Sequence, residues 1–345
     1  MRSAGTALRA LCGALAASAL VASTFVADLG VARADPVPIR VGWVLVPAEL
    51  APLMFAKPGL APHDGKNYVG KPIRFQGTSL MIQALASGDI DIGLMAFSSF
   101  ALAIQNAHMN DLRVIADSFQ DGVPGYHSNE FMVLKESGIK SVDDLKGKVL
   151  GSNTIGSAVD IAMRAMIERH GLADKKNVTI VEAPLSQMTA MLAEHKVDLV
   201  PSVLPFYTDP KLHAIARPLF SQKDAIGQTQ MIIEVARTGF IQKDHAALVD
   251  FLEDQIHATR FFTDPKNHEA AVAIASAYTK IPPERFDSWL FTKKDYYHDP
   301  NALPNLKALQ ANMDVQYKLG FLKERIEVAK YADLEPVETA AKRLK

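Results

Sequence analysis

The chain contains a single cysteine, Cys12, and it lies in an N-terminal stretch that has the marks of an export signal. The rest of the sequence therefore has no thiol, which excludes disulfides, thiolate nucleophiles and cysteine-held metals together. Its ten histidines are dispersed, with neither His-Glu-x-x-His nor any pair at helical i, i+4 spacing, so no metal site is expected. Gly-x-Gly-x-x-Gly and the Gly-x-Ser-x-Gly nucleophile elbow are both missing. Gly151 to Gly156 has the glycine spacing of a phosphate-binding loop, but Ser157 stands where such a loop needs lysine. No cofactor and no catalytic residue is expected. Charge of one sign is also lacking: 37 basic residues face 38 acidic ones, a balance with no general pull toward nucleic acid or anionic membrane.

What the N-terminus does contain is Arg2 and Arg9, an apolar stretch from Ala10 to Val26, and Ala32-Arg33-Ala34, the small-x-small pattern of a signal-peptidase site. The stretch is short for a ~30 Å hydrocarbon core and no later run is longer, so residues 1–34 read as a removable signal and the mature chain as not membrane-inserted. Cleavage leaves Asp35 first and acidic residues in excess by three. Arg9-Ala10-Leu11 before Cys12 lacks the pattern of a lipidated cysteine, so the product is expected to be free in its compartment.

One phrase occurs twice. Leu85-Ala86-Ser87-Gly88-Asp89-Ile90-Asp91-Ile92 and Leu192-Ala193-Glu194-His195-Lys196-Val197-Asp198-Leu199 each end a helix-periodic stretch, turn, and enter a strand. Around each copy, strands alternate with helices. The first half reads Ile39–Leu45, Ile73–Phe75, Ile90–Phe97 and Leu112–Ala116 as strands, with Pro47 in a helical first turn and Ser98-Ser99 opening a helix. The second reads Lys148–Leu150, Val178–Val181 and Val197–Val200, with helices from Ser157 and Ser186. Met231–Val235 reads as a strand that carries the chain back, and only helices follow, the first capped by Asp244 and stopped at Asp264-Pro265. This pattern predicts an α/β protein of two doubly wound lobes joined by two crossing segments: 35–127 as the first part of lobe one, 128–235 as lobe two, and 236–345 as the mostly helical remainder of lobe one.

In such sheets a ligand sits beyond the carboxyl ends of the strands, where helix N-termini turn unpaired N–H groups outward. The residues at those positions are Trp43; Thr78 and Ser79; Phe97, Ser98 and Ser99; Asn153, Thr154, Gly156 and Ser157; Ser186 and Gln187; and Ser202. They form the candidate ligand-binding set, dominated by small hydroxyls that serve equally well as helix caps. Lys and Arg are absent from these segments, while Glu49, Asp117, Asp121, Glu130 and Glu182 lie near them. The set offers no cation to clamp an anion.

The signal, the opening Ile39-Arg40-Val41-Gly42-Trp43, the first copy of the phrase, and Val142-Asp143-Asp144-Leu145-Lys146-Gly147-Lys148-Val149 followed by Gly156-Ser157 resemble the type II periplasmic binding proteins of ABC importers. The likeness is to the nitrate, sulfonate and taurine branch, which also contains thiamine-precursor binders. It implies a monomer in the periplasm that holds a small molecule between two lobes, with Thr78-Ser79, Ser98-Ser99 and Gly156-Ser157 in contact with it. It further implies delivery to an ABC permease and its ATPase, with a sulfonate, an aromatic acid or a thiamine-type pyrimidine as ligand. Presentation of the ligand to a membrane sensor is a second expectation, and a cofactor-biosynthesis enzyme of the same fold a third. N-terminal sequencing of exported protein should read from Asp35; material that retains Arg2 would refute the signal.

Overall fold

Strand β1 (Val37–Trp43) is buried on one face through Ile39, Val41 and Trp43. On its other face Gly42 leaves room for Ile90, whose Cδ1 would lie 2.7 Å from any Cβ placed there. The structure is a computed structural model describing residues 35–345, of which Pro36–Lys345 form one unit; the expected signal, its cleavage site and Cys12 lie outside the described residues. The other strands are β2 (Tyr68–Arg74), β3 (Ile92–Ala96), β4 (Leu112–Asp121), β5 (Glu130–Leu134), β6 (Val149–Ser152), β7 (Thr179–Glu182), β8 (Val200–Ser202), β9 (Ala216–Ser221) and β10 (Thr229–Arg237). The helices are α1 (Ala51–Met54), α2 (Leu80–Ser87), α3 (Phe97–Asn106), α4 (Ala158–Arg169), α5 (Met188–Ala193), α6 (Pro210–Ile215), α7 (Gln222–Ile226), α8 (Thr238–Lys243), α9 (His245–Thr263), α10 (His268–Thr279), α11 (Leu306–Lys318) and α12 (Glu335–Arg343).

The first sheet runs β2-β1-β3-β10-β4, with β1 parallel to β2 and β3, and β10 antiparallel to both of its neighbours. The second lobe pairs β8-β5-β9 antiparallel and β6-β7 parallel. A parallel bridge between Leu150 and Leu199, with Gly151 N–H donating to Leu199 O at 2.8 Å, sets β6 beside β8. The second lobe thus reads β7-β6-β8-β5-β9, the same arrangement as the first. In both, one antiparallel strand lies between a parallel unit and an outer strand.

The duplicated phrase explains the correspondence. Asp91 N–H donates to Arg40 O at 2.9 Å while the Asp91 carboxylate accepts Arg40 N–H at 2.8 Å, so one residue locks β3 onto β1 from both sides. Asp198 repeats this on Val149, at 2.7 and 2.9 Å, and locks β8 onto β6. A cation attends each carboxylate: Arg40 at 2.6 Å from Asp91, Lys148 at 3.5 Å from Asp198. The turn before each uses left-handed backbone, Gly88 at φ 77 and His195 at φ 55, which reverses the chain from helix into strand.

Hydrophobic cores follow the same division. One draws on residues from Ile39 to Phe119 and from Ile232 to Ala341, so the C-terminal helices complete lobe one. In lobe two, Phe131 and Val133 face Met163 and Ile167, while Met132 and Leu134 face Met188 and Leu192; alternation along β5 covers the sheet on both sides. Ala158, Ile161 and Leu204 of lobe two join the core of lobe one, so the lobes touch across α4 and the loop after β8.

Several local expectations change. The return strand lengthens to Thr229–Arg237 and lies wholly within the first sheet, because both of its edges are paired there. Ser98 and Ser99 fall inside α3, which starts at Phe97, and Asp244 makes no side-chain cap to α9. Pro47 sits in a turn, and α1 starts only at Ala51, with Pro52 in its first turn. Among the described residues no helix is long and apolar enough to cross a membrane.

Removing the first lock should be costly. Asp91→Ala deletes charge-assisted bonds to backbone and to Arg40, so urea unfolding should show about 1.5–3 kcal/mol lost. Asp198→Ala, at the more exposed copy with its longer ion pair, should lose less.

Candidate functional site

Three serines lie at the carboxyl ends of strands and have nothing to bond to. Ser152 ends β6, Ser202 ends β8, and Ser98 follows β3 in the first turn of α3; all are buried, and each Oγ is without a partner. Buried hydroxyls are seldom left so, and three at or just past strand ends in two sheets call for an explanation. Ser98 comes from lobe one, Ser152 and Ser202 from lobe two. Gln316 of α11 donates from Nε2 to Ser98 O at 3.2 Å and leaves its own Oε1 unpartnered and buried. The neighbouring Ser99 is tied to Thr78, its Oγ 2.7 Å from Thr78 Oγ1.

The entrance to α4 is an ordered polar loop. Ser157 Oγ donates to Asn153 Oδ1 at 2.6 Å and accepts Asp160 N–H at 3.3 Å, so it does cap the helix. Asp160 Oδ2 accepts Gly156 N–H and Arg164 Nε–H, both at 2.8 Å, while Oδ1 is buried and unpartnered. Gly156 is left-handed at φ 79, and Phe321 of lobe one would lie 3.5 Å from a Cβ there. The glycine therefore serves both the turn and the approach of the other lobe.

Thus Thr78, Ser98 and Ser99 are brought together, as are Asn153, Gly156 and Ser157. The others differ. Ser79 and Thr154 are exposed, and Ser79 makes no cap bond because its backbone is already helical. Ser186 and Gln187 are exposed, and the turn they form precedes α5 with no side-chain cap. Phe97 is fully buried core. Trp43 packs edge-on to Tyr278, ring centroids 6.1 Å apart, with Nε1 buried and unpartnered. Parallel register places Arg74 beside Trp43, its guanidinium 5.8 Å from the ring. A cation does therefore stand at the carboxyl end of the first sheet, contrary to the local reading of the segments. Ser152, Asp160 and Gln316 add unpartnered buried oxygens that the segments do not announce: Ser152 falls one residue before Asn153, and nothing local marks Gln316, which arrives on a distant helix.

The crossing is fastened by Tyr296. Its hydroxyl donates to Asn129 Oδ1 at 2.6 Å and accepts Leu204 N–H at 3.1 Å, while its ring stacks on Phe119 at 4.5 Å. Asp121 accepts Asn129 N–H at 2.8 Å and Ser128 Oγ–H at 2.7 Å. Three of the five acidic residues noted in sequence, Glu49, Asp117 and Asp121, are buried, not solvated. Burial pushes their carboxyls up, to about 8 for Glu49 and about 7 for the two aspartates. Glu234 rises to about 8 by burial, with the charges of Asp117 and Glu49 adding to it, and half-buried Glu130 to about 7. His63, Asp250 and Glu253 come within metal-ligand reach of one another, but Arg343 already bonds both carboxylates and Asp254 holds His63. They form an ion-pair network between α9, α12 and the loop before β2.

The family described as NMT1/THI5 like matches residues 73–266. Among solved structures the chain is similar to the periplasmic aliphatic sulphonate binding protein SsuA from Escherichia coli, with TM-score 0.66 and 18% identity over 87% of this chain and 92% of that one. It is similar also to the periplasmic nitrate-binding protein NrtA from Synechocystis PCC 6803, with TM-score 0.70 and 14% identity over 90% and 89%. The desulfurization enzyme DSZB matches too, with TM-score 0.64 and 13% identity over 90% and 100%. At these identities the likeness establishes the fold, that of two-lobed periplasmic binding proteins. No curated protein sequence matches.

The buried carboxyls make stability depend on pH. Their folded pKa values lie above the unfolded ones, so the folded chain binds more protons, and their contribution is complete below about pH 4 and is lost as pH rises through 7 to 8. Urea midpoints should fall between mildly acidic and mildly alkaline pH, and Glu234→Gln should flatten that fall. An unchanged slope would show that Glu234 does not contribute.

Proposed function

This chain belongs to the NMT1/THI5-like family, and from that premise we propose that it is an extracytoplasmic solute-binding protein. It captures a small organic molecule between its lobes in the periplasm and hands it to an ABC permease served by an ATPase. The carrying observation is the unpartnered set of Ser98, Ser152 and Ser202, contributed by both lobes at or just after the ends of strands. A ligand that bonds to these hydroxyls satisfies them only when the lobes come together. In this reading Asn153, Gly156 and Ser157, held in one polar loop, and Thr78, bonded to Ser99, flank the same ligand.

The polar groups favour a ligand with several hydrogen-bonding atoms. Gln316 Oε1 accepts only, as does the free oxygen of Asp160 when ionised, so a donor such as an amino or ring N–H group is suited to them. Arg74 leaves room for an acidic group as well. A pyrimidine of the thiamine type, an aromatic acid and a sulfonate are the classes to test, and SsuA and NrtA are described as sulphonate- and nitrate-binding. The likeness to DSZB keeps an enzymatic reading in view, and unchanged recovery of the ligand after long incubation separates the two.

The test is to identify the co-purifying compound by mass spectrometry and titrate it calorimetrically. Ser98→Ala and Ser157→Ala should each weaken binding, by about threefold to tenfold for a neutral partner and up to about a hundredfold for a charged one. Full affinity in both variants would move the site out of this crevice.

A further inference from the structure

Behind the crossing lies a second hollow that the crevice reading does not use. The segment Ser118–His127 is laced to the loop Phe291–His298: Gln120 and Tyr297 exchange backbone bonds at 2.8 and 3.1 Å, and His127 N–H donates to Asp295 O at 3.0 Å. Between them is a cavity of about 320 Å³ walled by Tyr126, Phe291, Tyr296, Tyr297 and His298, with Lys293 among its lining residues. That volume is at the small end of ligand sites. Tyr126 and Tyr297 meet edge to face at 5.1 Å, and Lys293 Nζ stands 4.1 Å from the Tyr126 ring centre.

Two further features mark the cavity as built. Phe291 holds a left-handed backbone, φ 58, which a bulky residue adopts only under constraint; here the Asp295 carboxylate grips its N–H at 2.8 Å. His298, more than nine-tenths buried, has Nδ1 2.8 Å from Ser118 O and no partner for Nε2. A carbonyl only accepts, so Nδ1 carries the proton and Nε2 presents a lone pair. Burial also keeps this imidazole neutral, its pKa lowered to about 4. The cavity therefore combines flat aromatic walls, a buried acceptor and a cation.

We propose that this cavity is a second binding site, for a small planar aromatic acid bearing a hydrogen-bond donor. Its ring lies among Tyr126, Tyr297 and Phe291, its donor reaches His298 Nε2, and its carboxylate pairs with Lys293. The site is separate from the crevice and stands whether or not the crevice ligand is as proposed.

The experiment titrates 4-hydroxybenzoate and benzoate into the full mature protein, using calorimetry and ligand-observed magnetic resonance. Wild type should bind 4-hydroxybenzoate more tightly than benzoate. Exposed Lys293, replaced in Lys293→Gln, should weaken both by about tenfold or more, as loss of a charged hydrogen bond does. His298→Phe should abolish the preference between the two while melting curves report its folding; Lys293→Gln decides alone if that variant does not fold. The double variant Ser98→Ala, Ser157→Ala, altered only in the crevice, should bind 4-hydroxybenzoate as wild type does. No binding by wild type, indifference to Lys293→Gln, or loss of binding in the serine variant overturns the proposal.

Discussion

The architecture depends on one interaction made twice: an aspartate at the start of a strand that both donates to and accepts from the backbone of the neighbouring strand. Asp91 does this to Arg40 and Asp198 to Val149. Parallel strands joined by a crossover have no hairpin to set their register, so something local must do it. A carboxylate that takes the strand's N–H while its own N–H takes the strand's carbonyl allows one alignment only. With β3 held to β1 and β8 to β6, the carboxyl ends of both sheets fall at fixed heights, and so do the residues that follow them.

The proposed function rests on what those ends carry. Ser98, Ser152 and Ser202 follow or end strands aligned by the two locks, and all three are buried hydroxyls with no protein partner. The crossing beneath them is held by Tyr296, which bonds to Asn129 at the base of the crossing and to Leu204 of lobe two. Lobe one is thus connected to lobe two through a crossing rich in hydrogen bonds and through contacts of α4. Such an arrangement can gain energy from a ligand that supplies the missing partners on both sides of the crevice.

Much of this is legible in the sequence because it is local. The repeated phrase contains helix end, left-handed turn and locking aspartate within eight residues, so the two lobes could be read from it without any tertiary information. The placement of Ser98, Ser157 and Ser202 at strand ends or helix starts is legible by the same logic, since strand ends are visible in hydrophobic patterning. What depends on long-range register is not. Arg74 stands beside Trp43 only because β2 runs parallel to β1, and a search of single segments cannot see that pairing. Gln316 reaches Ser98 from 218 residues away. The insertion of β10 between β3 and β4 is hidden for the same reason: its sequence says strand and buried, not which edges it joins. Ser186 and Gln187 show the other side of this: their local position suits a helix start, yet they lie in an exposed turn.

The central claim is that ligand brings together polar groups from two lobes, and the distance between the lobes tests it most directly. Leu80 of lobe one and Ile155 of lobe two are exposed apolar residues, 56% and 52% accessible, and residues 35–345 contain no native cysteine to interfere. Spin labels on Leu80→Cys and Ile155→Cys would report their separation by pulsed dipolar spectroscopy, in protein stripped by reversible unfolding and again after the co-purifying compound is restored. The account predicts a broad, longer distribution in the stripped protein that shortens and narrows on restoration. One unchanged distribution in both states, with binding confirmed in the same sample, would contradict it.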